Sequence, residues 1–105
     1  MAQFDVFTTP SPATRKLFPY IVDIQSVYLE DLATRIVIPL GKASAFANTS
    51  MKGLTPEISF HDEKLLLLTP QISSIPKTKL NDPIGSLAHF RTEIVKALDF
   101  AIFGI

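Results

Sequence analysis

The sequence predicts a mostly β fold, a small barrel or sandwich of about five to seven short strands closed by one C-terminal amphipathic helix. Three observations carry that reading. Prolines at 10, 12, 19, 39, 56, 70, 76 and 83 cut the chain into pieces too short for long helices until the last. Between them lie runs rich in β-branched residues, such as Thr34 to Leu40, TRIVIPL. From Leu87 onward the apolar spacing changes to the helical period, through Phe90, Ile94, Leu98 and Ala101 or Ile102.

In chain order, Gln3 to Thr8 alternates apolar Phe4 and Val6 with polar neighbours and reads as a half-buried strand. The Thr, Ser and Pro cluster from Thr8 to Thr14 reads as a loop. Tyr20 to Gln25 and Thr34 to Leu40 are two strands, expected antiparallel, with Asp31 to Ala33 near their turn and Pro39 at a strand end or an edge. Gly41 to Gly53 shifts to Ala, Ser, Asn and Thr around Phe46 and Met51, which suits a loop or a short irregular helix. Glu57 to Phe60 and Lys64 to Thr69 flank His61, Asp62 and Glu63 as a hairpin, with Leu65 to Leu68 buried on both faces. Ile75 to Leu80 is the last strand, after a turn from Pro70 to Ser74. The helix starts at Asp82 and Pro83, or at Ser86 acting as its cap.

The 105 residues leave room for one domain, residues 1–105, and 47% of them are hydrophobic, enough for a core. Ten basic residues balance ten acidic ones, so there is no charge excess to drive phosphate-backbone binding by this chain alone. With no cysteine, thiolate chemistry, disulfides and zinc ribbons are excluded. No apolar run approaches the roughly 20 residues a bilayer requires, and Met1 to Asp5 do not resemble a secretory signal, so no membrane association and a cytoplasmic location are expected. Near-zero charge on so apolar a chain suggests a partner or a second copy over some hydrophobic surface.

Residues that could carry chemistry are few. His61, Asp62 and Glu63 diverge in a tight turn, and His89 reads as an ordinary helix histidine, so no metal site is expected. Glycines at 41, 53, 85 and 104 form no phosphate loop, so no nucleotide cofactor is expected, and no G-x-S-x-G elbow occurs. Arg35 and Asp23 suit either a structural ion pair or the phosphate-binding group and general base of a metal-independent ribonuclease. Phe103, Gly104 and Ile105 close the chain with an aromatic, an aliphatic and a carboxylate. They are either a helix stop with Gly104 in a left-handed cap or an anchor for a partner.

Gln3 with Phe4, VDIQS at Val22 to Ser26, TRIVIPL at Thr34 to Leu40, SSIP at Ser73 to Pro76 and the ending Phe103, Gly104, Ile105 occur together in this order. In that combination the chain resembles the CcdB family, toxins of bacterial toxin–antitoxin modules that poison DNA gyrase. The resemblance implies an SH3-like barrel forming a homodimer, with the two C-terminal helices close together about the two-fold axis. It implies no catalytic residue and no cofactor. The dimer would engage the gyrase A subunit and trap it on cleaved DNA, acting in plasmid maintenance as a topoisomerase inhibitor.

Carried over by position, the gyrase contact comprises Asp99, Ile102, Phe103, Gly104 and Ile105, with Tyr28 and Leu29 as weaker members. The family usually has Trp where this chain has Phe103, which offers less area and about 0.5–1 kcal/mol less cation–π attraction to an arginine. A CcdA-like antitoxin, through a disordered arm that folds on binding, is expected at the loop of Thr9, Pro10, Ser11, Pro12, Ala13 and Thr14 and at Phe46, Asn48, Ser50, Met51 and Lys52. Toxin and antitoxin together would bind and repress their operator, the antitoxin supplying the DNA contacts. The alternatives are an endoribonuclease toxin like the related MazF and Kid, and a CcdB-like relative without gyrase activity.

Overall fold

The computed structural model describes residues 2–104. Its strands are β1 (Asp5–Thr8), β2 (Tyr20–Asp23), β3 (Thr34–Lys42), β4 (Glu57–Phe60), β5 (Glu63–Leu67), β6 (Ser73–Pro76) and β7 (Gly85–Ser86). They form one antiparallel sheet in the order β4-β5-β3-β2-β1-β7, with β6 also on β3, curled into a half-barrel. The short helix α1 (Ala43–Phe46) follows β3, and α2 (Arg91–Phe103) closes the chain. No helix among the described residues is long and apolar enough to cross a membrane.

Alternation along the strands builds two cores. Val6, Val22, Ile38, Leu40, Leu65 and Leu67 point to one face, where Leu87, Ile94 and Ala97 seal them. Phe7, Ile21 and Val37 point to the other and pack with Leu80 and Ile75. All four leucines from Leu65 to Leu68 are buried, as expected for a strand covered on both sides. Each fully buried side chain of this kind contributes about 1.5–3 kcal/mol.

The hairpin between β4 and β5 turns on His61 and Asp62, both at positive φ (49° and 63°), the two-residue turn whose twist matches its strands. Elsewhere the boundaries depart from expectation. The first strand begins at Asp5, because Phe4 adopts φ 72° and turns the chain. Its N–H donates to the Asp23 carbonyl and its carbonyl accepts from Leu87 N–H at 2.8 Å, contacts that hold this backbone in place.

Pro39 lies inside β3 rather than at its end. Ile24 N–H donates to the Ile36 carbonyl, so even-numbered residues of β3 bond to β2 and the Pro39 nitrogen faces the opposite edge. There the neighbour of β3 changes from β6, paired through Val37, to β5, paired from Leu40, and no amide is required in the gap.

The last long strand expected over Ile75 to Leu80 is instead β6 followed by a 3-10 turn at Lys77–Lys79. Asp82 and Pro83 do not start the helix, because Gly85–Ser86 pairs with β1 as β7. Nor does Ser86 cap the helix: its Oγ accepts from Ala88 N–H at 3.1 Å, but Leu87 stands at the start of the 3-10 turn (Ala88–Phe90) and Phe90 at the start of α2, neither with a side-chain cap.

Candidate functional site

The amphipathic stripe of α2 outruns the core. Ile94 and Ala97 are fully buried, whereas the last turn leaves Ile102 59% and Phe103 72% exposed. Gly104, at φ 74° and ψ 22°, ends the helix in a left-handed cap, its N–H donating to the Phe100 carbonyl at 3.1 Å. The helix stop therefore leaves an apolar end that solvent reaches. Asp99 is exposed beside it. Ile105 lies outside the described residues. Leu54, Pro70 and Ile72 line a groove of about 430 Å³ against Phe100, Ala101 and Ile102.

The Val27–Leu29 3-10 turn presents a second apolar surface. Tyr28 is 93% exposed, and Val27, Leu29 and Leu32 are exposed around it. Ser26 Oγ accepts from Tyr28 N–H at 3.2 Å and caps the turn. Among the described residues no hydrogen bond joins this turn to α2, so within one chain Tyr28 and Phe103 are held by separate scaffolds.

Beneath the turn lies a buried polar network. Arg35 Nη2 and Nε reach Asp23 Oδ2 at 2.7 and 2.8 Å, with the two side chains 1% and 0% exposed. Asp23 Oδ1 accepts from Gln25 N–H at 2.9 Å. The Gln25 side chain accepts from Ile36 N–H at 3.0 Å and donates to the Leu29 carbonyl at 2.7 Å. Arg35 Nη1 has no partner among the described residues. A scissile phosphate cannot reach a guanidinium so enclosed, and the Asp23 carboxylate is occupied on both oxygens, so the pair is structural. Gln25 is the functional residue the sequence does not single out; its only signal there is an amide two residues after Asp23 in an otherwise apolar run.

The segments expected to meet an antitoxin differ in exposure. Ser11, Pro12, Ala13 and Thr14 are exposed and Pro10 is half-buried. Thr9 is buried, its hydroxyl donating to the Phe18 carbonyl, and Arg15 braces the loop by donating to the Thr9 carbonyl at 2.8 Å. Beside this loop Ile21, Val37, Pro39 and Ile75 line an apolar groove of about 230 Å³. In the other segment Asn48, Ser50, Met51 and Lys52 are exposed, while Phe46 is half-buried against Phe18 at 5.2 Å between ring centroids. Phe18 thus touches both segments, through the Thr9 hydroxyl and the Phe46 ring.

His61 stacks on Phe60 at 3.9 Å, and no cluster of three or more metal-ligating side chains occurs among the described residues. Tyr20 donates to Glu63 Oε1 at 3.3 Å. Burial, and then the neighbouring Glu63 charge and hydrogen bond, raise the Tyr20 pKa above its ordinary value.

The family model described as CcdB protein matches residues 3–104 of the 105-residue chain, spanning every strand and α2. A match of that extent, over a half-barrel closed by a helix with an exposed aromatic end, places the chain in the CcdB family, the toxins of toxin–antitoxin modules.

Proposed function

We propose that this chain binds the DNA gyrase A subunit through the end of α2, with the Tyr28 turn as a secondary contact, and traps the cleaved gyrase–DNA complex. The observation that carries the proposal is Phe103, an aromatic 72% exposed on the last turn of a helix that Gly104 closes with a left-handed cap. Exposed single apolar residues are ordinary, but Phe100, Ile102 and Phe103 are exposed together on the last turn of one helix, which suits insertion into a partner. A protein that binds only the cleaved, open form of its target stabilises that form by its binding free energy and slows resealing. No bond is made or broken by the toxin itself, so it acts as an inhibitor and not as an enzyme.

The same reading includes a CcdA-like antitoxin whose disordered arm folds onto the Pro10 to Thr14 loop and the Phe46 to Lys52 segment. The apolar groove beside the first and exposed Met51 in the second support it. Two copies pair as a homodimer, supported by exposed Val95 and Phe100 on α2. Operator DNA is contacted through the antitoxin, in keeping with a net charge of zero, and the protein works in the cytoplasm. The ribonuclease alternative loses its two residues to the buried Arg35–Asp23 pair.

Calorimetric titration of the gyrase A subunit with the intact chain and with a variant lacking Phe103 to Ile105 tests the proposal. Binding by the first and none by the second is expected. Equal binding by both, or by neither, would count against it.

A further inference from the structure

Tyr28 is nearly bare to solvent, yet the turn that carries it is anchored from inside the protein. Three-residue 3-10 turns are weak by themselves, because few hydrogen bonds offset the backbone entropy lost. Here the Leu29 carbonyl accepts from Gln25 Nε2 at 2.7 Å, and Ser26 Oγ holds Tyr28 N–H from the other end. Gln25 is in turn fixed by Ile36 N–H at its side-chain oxygen and by Asp23 at its own N–H, and Asp23 is fixed by Arg35. Within the Asp23, Gln25 and Arg35 network every buried side-chain nitrogen and oxygen except Arg35 Nη1 has a partner, so Gln25 cannot change rotamer without leaving buried groups unpaired.

We infer that Gln25, held by the Asp23–Arg35 pair, is a positioning residue that keeps the Val27–Leu29 turn ordered so that Tyr28 meets gyrase without a further ordering cost. The inference rests on the gyrase reading above. Preorganising a contact raises affinity by removing the entropy of ordering it on binding. Loss of one such hydrogen bond should therefore loosen the turn and weaken binding while leaving the strands intact.

The test compares the intact chain with Gln25→Met, which keeps side-chain length and removes both amide bonds, and with Ser26→Ala, which loosens the same turn from the surface and leaves the buried network untouched. Amide hydrogen exchange is followed at 26–33 and at Val22, Ile38 and Leu40, beside affinity for the gyrase A subunit. Expected are about five- to tenfold faster exchange confined to the turn and an affinity lower by about the same factor in both variants. Unchanged exchange at 26–33 in Gln25→Met would overturn the positioning role, whatever the affinity. A loosened turn with undiminished affinity, while deletion of Phe103 to Ile105 abolishes binding, would overturn the inference and leave the gyrase reading standing. Failure of the intact chain to bind gyrase A would instead overturn that reading, and the inference with it. Should Gln25→Met not fold, Ser26→Ala still decides whether turn order governs affinity.

Discussion

Arg35 on β3 places Nη2 2.7 Å from Oδ2 of Asp23 on β2, with both side chains out of solvent. Breaking such a pair leaves a buried charge uncompensated, so Asp23→Ala is expected to cost about 3–5 kcal/mol. Replacing both, as Asp23→Leu with Arg35→Met, should cost less than the sum of the single changes. Urea unfolding of Asp23→Ala, of Asp23→Leu and Arg35→Met singly, and of their double variant checks this. A catalytic role would instead show as lost RNA cleavage at unchanged stability.

Stability and binding should separate along α2. Ile94 is fully buried, and Ile94→Ala is expected to lower stability by about 2–4 kcal/mol. Phe103→Ala and Ile102→Ala, on exposed positions, should stay within about 0.5 kcal/mol of the parent and yet lose gyrase binding. Thermal melts beside a gyrase A binding assay give both numbers for each variant.

Gly41 is packed too closely for a side chain. A Cβ there would lie 2.7 Å from the Phe46 ring and 2.8 Å from Leu68 Cδ1. Gly41→Ala is expected to cost about 1–3 kcal/mol and to push Phe46 off Phe18. Adding Phe46→Ala should then destabilise less than it does in the parent, which a double-mutant cycle by urea unfolding measures.

Tyr20 supplies the pH dependence. Its pKa is raised in the folded state above the ordinary 10.0, first by burial and then by Glu63. The folded protein therefore holds this proton more tightly than the unfolded chain. Its contribution to stability is fully present below pH 10.0 and is lost as pH rises through the folded-state value. Tyr20→Phe should flatten the fall in stability above pH 10.0, measured as unfolding midpoints across that range.

Long, strongly patterned segments were legible in the sequence. Leu65 to Leu68, the β-branched run from Thr34, and the period change at Leu87 gave β5, β3 and the helical stripe because burial itself imposes those patterns. Two residues are too few to show any period, so β7 was invisible, and Asp82 with Pro83 imitated a helix start beside it. Pro39 misled because a change of strand neighbour is a property of the sheet and leaves no mark on the strand's own residues. Phe4 at positive φ is likewise set by its partners Asp23 and Leu87, since nothing about phenylalanine favours that backbone.

Of the candidate site, the helix stop at Gly104 was readable because glycine after a helical run suits a left-handed cap, whereas the exposure of Phe103 was open, since the residues alone allow either burial or contact. The support beneath Tyr28 was not. Asp23 and Arg35 suggested an ion pair, but Gln25 joins them to the Leu29 carbonyl through contacts that form only once β2 and β3 are paired.

Gyrase poisoning by the end of α2 is tested most directly by incubating supercoiled DNA with gyrase, ATP and this protein, then scoring linear DNA after detergent and protease. Linear product with the intact chain, absent with a variant lacking Phe103 to Ile105, is the expected result. Linear product undiminished by the truncation, or none with gyrase from the native host, would contradict it.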